Sequence, residues 1–170
     1  MVLRPFGKKR PVLGDDVYVD ESAVVIGDVR LHDRVSIWPG AVVRADDDQI
    51  EIGEGTAIMD TAFAEAPRGR KVTVGEGCII SHGVRLHGCT IGDGVLIGIG
   101  ATILDGATIG NGSIVGACAL VTQGTTIPAN SMLVGSPGKV TKQVAQEDQM
   151  WIKAELAAIH GKVRIYRGAR

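Results

Sequence analysis

The chain has 170 residues, with 18 Lys+Arg against 19 Asp+Glu, 24 Gly, and only two each of Trp, Tyr and Phe. Near-neutrality leaves no electrostatic footprint for nucleic acid or for an anionic membrane surface. So few aromatics exclude a core built on large rings and favour a single domain with tight corners and small interior sites.

Met1 to Arg10 is polar and basic and lacks the apolar stretch of a secretory signal. From Leu13 an aliphatic residue recurs every six positions, at Val19, Val25, Leu31, Ile37 and Val43. The charged stretch Asp46-Asp47-Asp48-Gln49 breaks the phase, which resumes at Ile52, Ile58 and Ala64. Pro67-Arg68-Gly69-Arg70 breaks it again before Val74, Ile80 and Leu86, and a five-residue step leads to Ile91. From there the ladder runs unbroken through Ile97, Ile103, Ile109, Val115, Val121 and Ile127 to Leu133. Small side chains such as Val95, Ala101, Ala107, Ser113 and Ala119 follow four residues after successive starts. Gly with Asp or Asn fills the steps between, as in Gly92-Asp93-Gly94 and Gly110-Asn111-Gly112, because corners need a permissive backbone.

A period of six is neither the helical 3.6 nor the alternation of a sandwich strand. It suits an all-β solenoid, a left-handed parallel β-helix of hexapeptide repeats with three flat strands and about 18 residues per turn. Residues 1–140 are expected to form it. After Pro137-Gly138 the hexads stop. Val144, Trp151, Ile152, Leu156 and Ile159, with Glu147, Asp148, Lys153 and Glu155 between them, predict an amphipathic helix ending near Gly161. Residues 141–170 thus read as a C-terminal α-helix and tail packed on the β-helix or on a neighbouring subunit. Three hexads make one turn, so Val43, Ala64 and Leu86 share a face. The residues after them, Arg44, Glu65 and His87, should form a column on its outer side. His82, two residues after Ile80, falls on the adjacent face.

The segments Val35 to Arg44 (VSIWPGAVVR), His82 to Cys89 (HGVRLHGC), Ile97 to Asp105 (IGIGATILD) and Val134 to Val140 (VGSPGKV) carry a resemblance over nearly the whole chain. They resemble the γ-class carbonic anhydrases within the hexapeptide-repeat proteins. The resemblance implies reversible hydration of CO2 to bicarbonate at a divalent metal, Zn2+ first with Fe2+ or Co2+ as alternatives, held between subunits of a homotrimer. It assigns His82 and His87 as two ligands and places the third family histidine at Glu65. Arg44 and Asp46 match an intersubunit arginine–aspartate pair, Asp60 a further framing aspartate, and Asp47 the acidic proton-shuttle position. Met59 stands where the family has a glutamine that orients water or bicarbonate. Two histidines and a carboxylate form a known catalytic zinc set that also suits Fe(II). An anionic ligand lowers the metal's net charge and with it the power to acidify water. With Met59 unable to hydrogen-bond usefully, hydration of CO2 is expected to be weakened.

Other readings stay open on the residues alone. A lone His82 would be an ordinary surface residue, Glu65 a solvated carboxylate or one paired with Arg44, and Arg44–Asp46 a structural interface pair. His32 and His160 read as surface residues, Cys78 as core, and Cys89 and Cys118 as thiols without a neighbouring base. An odd count of three cysteines argues against a disulfide framework. No apolar run approaches the roughly 18 residues that span a bilayer, so a reduced, cytoplasmic location is expected. The alternative functions are a catalytically silent trimeric assembly or binding protein, kept open by Glu65 and Met59, and a hexapeptide-repeat acyltransferase. The latter would place a catalytic histidine in a long loop, and the longest interruption here is near Pro67 to Lys71.

Overall fold

The computed structural model describes residues 2–168. The six-residue phase becomes three stacked columns of inward side chains. The first is Leu13, Leu31, Ile52, Val74, Ile91, Ile109 and Ile127, each in register with the next across parallel strands. The second is Val19, Ile37, Ile58, Ile80, Ile97, Val115 and Leu133. The third is Val25, Val43, Ala64, Leu86, Ile103 and Val121. Apart from half-buried Leu13 these residues are buried and form one continuous core. Full burial of such a side chain is worth about 1.5–3 kcal/mol, and no aromatic ring is needed. The result is a left-handed β-helix, with strands of mostly two or three residues joined by tight corners.

Small side chains line those corners. Ala101, Ala107, Ala119 and Cys78 are all fully buried there. Burial pushes the Cys78 thiol up to about 11 and that of Cys89 up to about 12, while Cys118 is exposed. Both ends are covered. Strand Val2–Arg4 pairs with Val24–Ile26 at the bottom, and Lys139–Gln143 folds back antiparallel on Ser131–Val134 at the top. Unpaired strand edges are thereby reduced.

The helix spans Gln146–Gly168, seven residues beyond the stop expected near Gly161. Glycine inside a helix costs about 1 kcal/mol; here the packing of Val163 on the second face, among Tyr18 and Trp38, outweighs it. Tyr166 stacks edge-on against Trp38, and Arg167 reaches Asp16 at 3.2 Å. Twenty-three residues at about 1.5 Å each match the height of seven strands spaced about 4.8 Å apart. The helix therefore runs the full face, from Gln149 on Asn130 to Arg167 on Asp16. His160 is not a surface residue at the helix end: it is half-buried in mid-helix and bonds the carbonyl of Gly55 at 2.8 Å. His32 is half-exposed and lies 2.7 Å from Glu51. Among the described residues no helix is long and apolar enough to cross a membrane.

Candidate metal-binding column

Strand alternation builds the column. Val43, Ala64 and Leu86 point inward, so the next residue on each strand points out. Arg44 is in register with Glu65, and Glu65 with His87, across Val42–Ile52, Phe63–Glu65 and Arg85–His87. Arg44 donates to Glu65 Oε1 at 2.6 Å and to Asp46 Oδ2 at 3.0 Å, and its guanidinium lies 6.0 Å from the centre of the Phe63 ring. Burial alone would lower the Arg44 pKa, but the hydrogen bond and charge of Glu65, joined by Asp46, leave it raised.

His87 faces Glu65 on its other side, with Nε2 3.9 Å from Oε2. Its Nδ1 lies 2.7 Å from Asp105 Oδ1. A carboxylate only accepts, so Nδ1 carries a proton, and Nε2 faces the second oxygen of Glu65. This is the usual outer support of a metal-bound histidine. Gly88 makes the approach feasible, since a Cβ there would meet Asp105 Oδ1 at 2.5 Å.

His82 is elsewhere. It sits in the turn before the strand that ends in His87, half-exposed, with Nδ1 3.0 Å from Asp60 Oδ2. The contact is an ion-pair approach and not a directed hydrogen bond. A groove of about 220 Å³ opens beside it, walled by Met59, Ile79, Leu96, Ile99 and Trp151. Met59 is buried in the apolar cluster beneath the helix. Asp47 is half-exposed and 3.8 Å from Arg68, itself almost fully exposed.

The column thus gathers Arg44, Asp46, Glu65 and His87 in one chain, and leaves His82 and Asp60 apart. Among the described residues no three His, Cys, Asp or Glu side chains of one chain gather to hold a metal. The donor chemistry nonetheless fits one. Glu65 Oε2 and His87 Nε2 face one another at 3.9 Å, wider than the roughly 3.3–3.4 Å between tetrahedral ligands bonded at about 2.0–2.1 Å, so a small closing of the pair would let both bind one ion. Two donors are half a site. Asp105 lies 18 residues beyond His87, one position past the residue that follows the Leu86–Ile103 pairing, because the five-residue step to Ile91 shortens this coil, and repeat counting does not single it out. A larger groove of about 310 Å³ lies under the helix end, lined by Asp16, Arg34, His160, Val163, Arg164 and Arg167. Arg34 is engaged there by Glu54, and the Arg167–Asp16 pair ties the helix down.

The repeat described as bacterial transferase hexapeptide (six repeats) matches residues 10–45 and 88–123. Protein YrdA of Escherichia coli (strain K12) is 43% identical over 159 residues, covering 89% of this chain and 86% of its own. A probable carbonic anhydrase of Methanocaldococcus jannaschii is 46% identical over 142 residues, covering 84% of this chain and 89% of its own. Among solved structures, a putative acetyltransferase from Bacillus cereus superposes with a TM-score of 0.97 at 30% identity, over 99% of this chain and 98% of that one.

Proposed function

The chain belongs to the γ-class carbonic anhydrase-like hexapeptide-repeat proteins, and we propose that it is a homotrimeric metalloprotein interconverting CO2 and bicarbonate between subunits. The observation that carries this is the pair of supported histidines. His87 and His82 each have a carboxylate within 3.0 Å of Nδ1, yet they sit on different parts of one chain. A second copy that brings its own His82 to the Glu65–His87 pair completes a three-donor set.

Glu65, His87 and that second His82 would hold the cation. Two histidines with a carboxylate favour Zn2+, with Fe2+ or Co2+ as alternatives. Once bound, such a cation supplies Lewis acidity and a nucleophile from water at neutral pH. The chain's own residues do the rest. Arg44 orients Glu65 through Oε1 and leaves Oε2 to the site, and Asp46 steadies Arg44. Asp105 and Asp60 set the two imidazoles. Asp47, at the solvent edge beside Arg68, is placed to exchange protons with water. Met59 offers an apolar wall where a hydrogen bond would orient water or bicarbonate, so turnover is slow.

The Arg44–Glu65 contact also favours a second reading. A carboxylate held at 2.6 Å by a guanidinium is what an eroded site would keep for structure, leaving a silent trimeric assembly or binding protein. Metal analysis after loading with Zn2+, Co2+ or Fe2+ separates the two. One ion per subunit in the parent, lost in His87→Ala, supports the metalloprotein and leads to CO2 hydration assays. An empty parent that fills only as Glu65→His establishes the silent assembly.

A further inference from the structure

The strand Val42–Ile52 departs from the regular coil where Asp46 and Asp47 lie. Gly27 pairs with Ala45 and Val29 with Ile50, so residues 46–49 stand opposite Asp28 alone. An insertion of this kind strips backbone groups of their ladder partners. From above, the loop is secured by Asp48 N bonding Ala66 O at 3.1 Å and by Lys71 Nζ donating to Gln49 Oε1 at 3.2 Å. From below, Lys9 Nζ donates to the carbonyls of Asp46 at 3.2 Å and Asp47 at 2.9 Å.

Lys9 is presented rigidly. It closes a tight turn with Phe6 through two backbone hydrogen bonds of 3.0 and 3.1 Å, with Gly7 at a positive φ of 60°. The preceding strand Val2–Arg4 is paired to the coil. Lys9 is half-buried, whereas Gly7, Lys8 and Arg10 on either side are exposed. A lysine head is strongly hydrated, and here two of its donors go to one bend of main chain. That bend sets the direction of the Asp46 carboxylate, which holds Arg44, which in turn holds Glu65.

We infer that Lys9 is a positioning residue for the Glu65–His87 site, acting through the 46–49 insertion and the Asp46–Arg44 pair. Its effect on metal binding rests on the metalloprotein reading; its effect on the loop does not. An N-terminal turn remote in sequence thereby governs how sharply the Glu65 carboxylate is aimed.

The test uses the full chain with Lys9→Met, which keeps the stem and removes the donors, and Lys9→Arg, which keeps donors and charge. Co2+ is the probe, followed by its visible absorption, alongside amide hydrogen exchange without metal. Lys9→Met is expected to speed exchange across residues 45–49 about tenfold while leaving residues 91–133 unchanged. It should weaken Co2+ binding about fivefold to tenfold, with Lys9→Arg within about twofold of the parent. In an Asp46→Ala background, Lys9→Met should add nothing further. Unchanged exchange in the loop, failure of Lys9→Arg to rescue, or full additivity with Asp46→Ala would each overturn the inference. A parent that takes no Co2+ overturns the metal reading alone, and the exchange measurement then decides Lys9 by itself.

Discussion

The coils above Ile91 and those between Val43 and Thr90 are built on the same columns and differ in one respect. From Ile91 to Leu133 the hexads run without interruption, and the outward positions are largely Thr, Leu and small residues. Below, insertions at 46–49 and 66–71 push out acidic and basic side chains, yet Leu31 still pairs with Ile52 and Ile52 with Val74. The matched repeat leaves a gap between residues 45 and 88, and Asp46, Asp47, Asp60, Glu65, His82 and His87 all lie in it. A two-residue strand offers one outward side chain, so a cluster of polar groups on one face gains from longer strands and added chain. The regular stack sets spacing and height and aligns Arg44, Glu65 and His87; the first insertion adds Asp46 and Asp47 beside them.

This contrast is breakable by measurement. The largest effect should come from the regular coils: Ile103→Ala, at a fully buried position, is expected to lower unfolding stability by about 3 kcal/mol in urea. Arg68→Ala at the exposed rim should stay within about 0.5 kcal/mol, and an equal loss there would dissolve the distinction. Next comes the foot of the first insertion. Gly27 has φ 79°, and a Cβ would meet the Ala45 carbonyl oxygen at 2.2 Å, so Gly27→Ala should cost about 2 kcal/mol. A neutral result would mean that the lower coils are as tolerant as any loop.

A smaller effect separates support of the site from support of the fold. Asp105→Ala should weaken metal binding about tenfold with little change in the urea midpoint. Loss of stability without loss of affinity would assign Asp105 to the coil instead. The smallest concerns the thiols. At pH 8 a thiol reagent should modify exposed Cys118 and spare Cys78 and Cys89, whose folded pKa values near 11 and 12 lie above the ordinary 9.0. A raised folded pKa stabilises fully below pH 9, and that contribution declines as pH rises from about 9 through 11–12. Constant stability across that window, or rapid labelling of all three thiols, would show that the corners breathe.

The resemblance to the γ class and the solenoid are both legible in the sequence, and so is the Arg44–Glu65–His87 column, because stepping three hexads returns the chain to the same face. The helix was legible as an element but not in extent, since Gly161 reads as a stop until Val163 and Tyr166 find the second face. Asp105 on His87, Lys9 under the insertion and His160 on Gly55 carried no such signal. Each depends on a side chain reaching another coil or the other end of the chain.

Sequence by itself determined the phase of burial, and with it the columns, the faces and the outward order of residues. A strict period in a flat strand allows only one stacking that keeps every aliphatic residue dry. Tertiary structure alone decided the contacts between charged side chains: that Arg44 takes one oxygen of Glu65 and leaves the other, and that Asp105 meets Nδ1 of His87. Those outcomes depend on rotamers, corner geometry and the path of inserted loops, and no repeat period encodes them.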